Sequence, residues 1–181
     1  PLPGGAQGEG EGNGTTNIWI ATARGQTLMD AFRNLRGRAG FILSFHHARL
    51  IVVGEDLARK GVKPVIDHMF RTREIRLNNV LMICQGSAKD FLQIKPELAE
   101  SLHEELEGIL LNETIWSKSY STQLFEFAQN LLDPGTQPVA SRLFTVKPEV
   151  ATPAPGGEDE ERLNEVIVAQ GIAVFNDDQL A

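Results

Sequence analysis

The sequence predicts an α/β domain, a mixed β-sheet with flanking helices, on three observations. Between Ala21 and Leu92 a short apolar segment gives way three times to an amphipathic helix through a Gly, Thr, Ser or Asp. A helical stretch at 96–132 then interrupts the alternation, and further strand-like segments come late in the chain, so a mixed sheet fits better than an all-parallel one. With 181 residues, 41% of them hydrophobic, the chain can bury a core without disulfides or metals. The alternative with the same elements is an α+β fold, with helices packed on one face of a mostly antiparallel sheet.

The elements follow in order. Residues 1–16 hold six glycines, two prolines and two glutamates and predict a flexible loop, because no apolar group offsets the entropy of ordering it. The loop has no Lys or Arg, which argues against a phosphate cradle. Asn17–Ala23 alternates and carries β-formers, as a strand does. Thr27 fits a helix N-cap, with Asp30 as an acidic version of the capping box. Leu28, Ala31, Phe32 and Leu35 form one helical stripe, which Gly37 and Gly40 are expected to end.

Leu50–Val53 is a short apolar run, expected to be a strand buried on both faces. Gly54 turns the chain into a helix with Glu55 and Asp56 in its first turn, where carboxylates suit the helix dipole. Gly61 breaks that helix, and Pro64 starts another with Val65, Ile66, Met69 and Phe70. Val80–Cys84 is the third apolar segment, and Gly86 with Ser87 opens a short helix. From Pro96, Leu98, Leu102, Leu106, Ile109 and Leu110 share one face of a long acidic helix. Leu124, Phe127, Ala128, Leu131 and Leu132 mark another, stopped by Asp133-Pro134-Gly135. Arg142–Val146 reads as a strand, and Lys147–Glu161 as an acidic Pro/Gly-rich linker or hairpin excursion. Glu165–Phe175 returns to strand, with Gly171 marking a bulge. The expected division is a loop at 1–16, an α/β domain at 17–170, and a last strand, or the start of a truncated following domain, at 171–181.

Charge is unevenly spread. The net value is −7, yet residues 24–76 carry 11 Lys/Arg against 5 Asp/Glu, a local +6, and the remainder carries 6 against 19. Such a split fits a basic face toward an acidic partner or an anionic membrane. The basic residues are interleaved with core positions and lack an exposed aromatic series, so no nucleic acid is expected as a partner. No apolar run in the sequence is long enough for a membrane-crossing helix.

Catalytic chemistry finds little support. The histidines (His46, His47, His68, His103) lack metal-ligand spacing, and Ser44 and Ser87 lack a nucleophile-elbow context. The lone Cys84 sits in VLMIC, as a buried small hydrophobe would. The chain is therefore not expected to be an enzyme, and no catalytic, cofactor-binding or metal-binding residue is assigned. The segment RTREIRLNN instead gathers Arg71, Arg73 and Arg76 around Glu74, where a helix hands over to a strand. With His47 these residues are the candidate partner interface, because guanidinium groups suit a partner's carboxylates or a lipid headgroup. A small-molecule site at the carboxyl ends of the strands, near Gly54 or Gly86, is the alternative.

Four segments in order, GQTLMDAFRNLRGRAG, HARLIVVGEDLARKGV, RTREIRLNNVLMICQGSAKDFL and GIAVFNDDQLA, resemble the N-terminal domain of the GerAC-like, or Ger(x)C, spore germination proteins. These are the C subunits of nutrient germinant receptors. The resemblance is close over Asn17–Leu92 and returns at Ile172–Ala181. Thr72 stands where the family has an acid, and His46-His47 where it has Gly-His. The resemblance implies a lipoprotein on the outer surface of the spore inner membrane, tethered through a lipidated Cys outside this stretch. It also implies integral-membrane subunits of the same receptor as partners, acting in receptor assembly and germination signalling. The family's lipid-modified Cys and its first strand have no counterpart before Pro1, so the stretch is expected to start late and, by its tail motif, to end early.

Overall fold

The structure, a computed structural model, describes residues 20–39, 42–96, 99, 101–147 and 165–181. The first helix, α1 (Leu28–Arg38), is capped as its sequence predicts: Asp30 N–H donates to Thr27 Oγ1 at 3.2 Å. The reciprocal bond is shifted by one residue, because the Asp30 carboxylate accepts from Gln26 N–H at 3.0 Å rather than from the cap itself. The helix runs through Gly37, and Gly40 lies outside the described residues. Of the strand expected at 17–23, residues 17–19 also lie outside them, and Ile20–Ala23 is not a strand and pairs with none among the described residues.

Two βα units build the centre. β1 (Leu50–Gly54) leads directly into α2 (Glu55–Lys60), then α3 (Lys63–Arg71), with Pro64 in the first turn of α3. β2 (Val80–Cys84) leads through Gly86 to the single-turn α4 (Ala88–Phe91). The long helix expected from Pro96 is shorter: α5 (Leu102–Leu111) begins where Ser101 Oγ accepts from Glu104 N–H, and α6 (Glu113–Trp116) follows it. β3 (Thr122–Gln123) and α7 (Leu124–Leu132) precede β4 (Val139–Val146), which starts three residues earlier than the sequence signals. β5 (Val166–Asn176) and β6 (Gln179–Leu180) form the final hairpin, with Asp177 at φ +58° in its turn.

The sheet order is β1-β2-β4-β5-β6, with β3 antiparallel to the start of β2. β1, β2 and β4 are parallel to one another, while β5 and β6 are antiparallel, so the sheet is mixed as the sequence predicts. β4 and β5 pair directly, Val146 opposite Val166, across the acidic connection.

Alternation along β2 feeds two apolar layers. Leu81 and Ile83 join Ala58, Ile66, Leu124 and Phe127 beneath α2, α3 and α7. Met82 and Cys84 join Phe91, Leu102 and Leu106 beneath α4 and α5. Burial pushes the Cys84 thiol up to about 11, so it packs as an inert hydrophobe. β5 serves both layers because of one glycine. Arg142 alone separates Ser141 from Leu143 on β4, while Gln170 and Gly171 together separate Ala169 from Ile172 on β5. This bulge, with Gly171 at φ +82°, reverses the side-chain alternation. Ile167 and Ala169 therefore meet one layer, and Ala173 and Phe175 the other.

Candidate functional site

The segment between α3 and β2 holds the arginine cluster, and its own apolar residues pin it in place. Ile75 packs against the α2/α3/α7 layer, and Asn79 is buried. Backbone bonds add to this: Thr72 N–H donates to Met69 C=O at 3.2 Å, and the Asn79 and Leu77 carbonyls accept from Leu124 and Phe125 N–H at 2.8 and 2.9 Å. With these positions anchored inward, Arg71, Arg73 and Arg76 are left exposed.

The charged groups do not act as one cluster. Arg71 pairs along its own helix with Asp67, Nε to Oδ2 2.8 Å, a solvated i,i+4 pair that adds little stability. Glu74 pairs not with its neighbouring arginines but with Arg36, on α1 and 38 residues away. The Arg36 guanidinium, helped by Phe45 N–H, holds the Glu74 carboxyl below the usual range. That pair belongs to a small latch joining α1 to α3. Phe32 stacks on His68 at 5.5 Å and lies 4.8 Å from Phe45, over which Arg36 sits at 5.6 Å.

Arg73 and Arg76 have no carboxylate partner among the described residues. They also face different concavities. Arg73 borders a hollow of about 220 Å³ with Met29, Phe32 and His68. Arg76 borders a groove of about 830 Å³, and there the structure brings it together with His47. Arg49, Asn79, His103 and Glu107 share that groove. Arg49 Nη1 donates to Glu107 at 2.9 and 3.2 Å, and His103 lies 3.8 Å from the same carboxylate. Arg49 and Glu107 are 58 residues apart, so no local signal connects them; only the packing of α5 beside β1 does.

This groove opens at the amino ends of β1 and β2, around Leu50 and Val80. At the carboxyl ends, where open α/β sheets usually take ligands, the backbone closes on itself. Glu55 N–H donates to Gly86 C=O at 3.1 Å, and a Cβ on Gly54 would come within 2.9 Å of that oxygen. Among the described residues no three His, Cys, Asp or Glu side chains converge to hold a metal ion, and no helix is long and apolar enough to cross a membrane. The arrangement places the exposed Arg76 guanidinium, on an anchored segment, and the exposed His47 imidazole at the rim of one mixed polar and apolar groove.

The family model described as the spore germination protein N-terminal domain matches residues 1–144. The chain is similar to the putative spore germination protein YfkR of Bacillus subtilis (strain 168), 28% identical over 178 residues. That alignment covers 98% of this chain and 43% of the relative, so the chain spans less than half the relative's length. No solved structure matches.

Proposed function

The chain belongs to the spore germination protein N-terminal domain family, and from that premise we propose that it acts as a non-enzymatic, lipid-tethered subunit of a spore nutrient germinant receptor. In this reading it sits on the outer surface of the spore inner membrane and docks on the receptor's integral-membrane subunits, supporting assembly and germination signalling. The observation that carries the reading is a pair of guanidinium groups with no carboxylate partner among the described residues. Arg73 and Arg76 project from an anchored segment while nearby Arg36 and Arg71 are engaged within the fold. An arginine held ready on rigid backbone loses less entropy when it meets a partner's carboxylate than one on a mobile loop.

The test is charge reversal. Spores carrying Arg73→Glu and Arg76→Glu together are expected to lose their nutrient response and the subunit's recovery with its membrane partners. The purified variant should keep its thermal midpoint within about 2 °C, since both side chains are exposed. Arg71→Glu, at an arginine already engaged within its helix, is the matched control and should germinate normally. Normal germination by a stably accumulated Arg73→Glu/Arg76→Glu protein overturns the docking reading.

A further inference from the structure

β1 is the terminal strand of the sheet, paired only with β2 among the described residues. In a parallel ladder only alternate residues of a strand bond to a given neighbour. Val80 N–H donates to Arg49 C=O at 2.9 Å, which fixes Arg49, Ile51 and Val53 as the residues turned toward β2. Leu50 and Val52 therefore turn their N–H and C=O groups away from the sheet, and no described residue takes them up. The strand reads LIVVG and carries no Lys, no Pro and no bulge, three of the devices that blunt a sheet edge. The opposite edge differs. β6 is two residues long and lies against α2, with Val62 N–H donating to Asp178 C=O beside it at 2.8 Å.

Beside the open edge lies a cleft between β1 and α5. The groove of about 830 Å³ and a second of about 460 Å³ share His47, Arg49, Leu50 and His103, and so run into one another. Val52, Leu102 and Leu106 give the second an apolar wall, and Ile20 and Ala21 border it. The wide end carries a positive surplus: Arg49 and Arg76 face one carboxylate, Glu107, which Arg49 already engages, and His46, His47 and His103 add hydrogen-bonding groups beside them. The same end holds Asn79, 2% exposed, whose Nδ2 has no hydrogen-bond partner. A buried amide donor left unmade is costly and calls for an acceptor.

We infer that this edge is a strand-addition site for an extended, acidic segment of a partner protein. The segment's backbone pairs with Leu50 and Val52, its apolar side chains lie along Val52, Leu102 and Leu106, and its carboxylates meet Arg76 and His47. This is peptide recognition by sheet extension: the ladder supplies affinity, and the cleft and its charge supply specificity. The inference rests on the docking reading only in taking the occupant to be a protein. It uses Arg76 and not Arg73, which lies on the other hollow.

The experiment titrates the 181-residue chain with a fluorescent hexapeptide of four valines flanked by a glutamate at each end, and with its lysine-flanked counterpart. The acidic peptide should bind at least about tenfold more tightly. Amide exchange at Leu50 and Val52 should slow by about tenfold or more on binding, while Ile51 and Val53, already bonded to β2, change little. Arg76→Glu should reverse the preference between the peptides. Val52→Pro, which removes one outward N–H, should abolish binding; if that variant does not fold, Arg76→Glu still decides. The free chain should sediment as a monomer. Equal binding of both peptides, binding of neither, or a dimer protected at the same two amides overturns the inference. Loss of the peptide result with Arg73→Glu/Arg76→Glu spores still blocked removes strand addition and leaves docking standing; the converse removes docking and leaves strand addition.

Discussion

The two apolar layers grow from the same strands but close differently. Beneath α2, α3 and α7 most of the contributing side chains are buried, and Phe127 meets Phe175 edge to face at 5.1 Å. Beneath α4 and α5, half-buried residues such as Leu50, Val52, Ile109 and Leu110 outnumber the buried ones among the described residues. The reason is coverage. Three helices and the β5–β6 hairpin close the first layer, whereas α5 and one turn of α4 cover the second and leave the β1 edge open. The first layer holds the fold, and the second forms a wall of the groove that the protein presents.

The largest effect should come from the closed layer. Phe127→Ala removes a fully buried ring and is expected to cost about 3–5 kcal/mol in a denaturant titration. A loss below about 1 kcal/mol would mean that the layer repacks freely and that the contrast is false. Gly171→Ala attacks the device that lets β5 supply both layers. At φ +82° a Cβ should cost about 1–2 kcal/mol, with space not limiting because no atom lies within 4 Å of it. A neutral result would show that the bulge relaxes without its glycine. Leu110→Ala, on the open layer, should cost only about 1 kcal/mol because half of the site already faces the groove.

The smallest effect concerns pH. Glu55, in the first turn of α2, accepts from Arg59 at 2.7 Å and Arg142 at 3.2 Å. Arg59 first, then Arg142 and Gly86 N–H, hold its carboxyl below the ordinary 4.5 despite the opposing effect of burial. The unfolded chain thus binds this proton more readily than the folded one. The stabilisation is present above about pH 4.5 and is lost as pH falls through the folded value. Glu55→Gln should therefore lower the unfolding midpoint at pH 7 by a few degrees at most and narrow its gap to the parent at pH 3. An equal gap at both pH values would assign the loss to packing.

Much of the fold was legible because it is written in local grammar. The Thr27 cap, Pro64, Gly54 and Gly171 each act within a few residues, and each stands where the sequence places it. The errors fell where context decides. Leu50–Val53 carries the apolar run of a strand buried on both faces, yet among the described residues it is the terminal strand, with Leu50, Ile51 and Val52 only half-buried. The stripe at 96–110 continues the helical period, but the Ser101 cap starts the helix later. The arginine segment was visible as composition; its division into engaged and unspent groups was not. Arg36 reaches Glu74 across 38 residues, and Glu107 reaches Arg49 across 58.

The sequence by itself determined the α/β class and the mixed sheet, because periodicity, caps and turn residues are short-range physics; the family followed from the likeness of four segments in order. Only the tertiary structure decided which strand lies at the edge, which arginines are spent and where the groove opens. Those outcomes depend on which distant segments come to lie side by side, and no spacing along the chain encodes that.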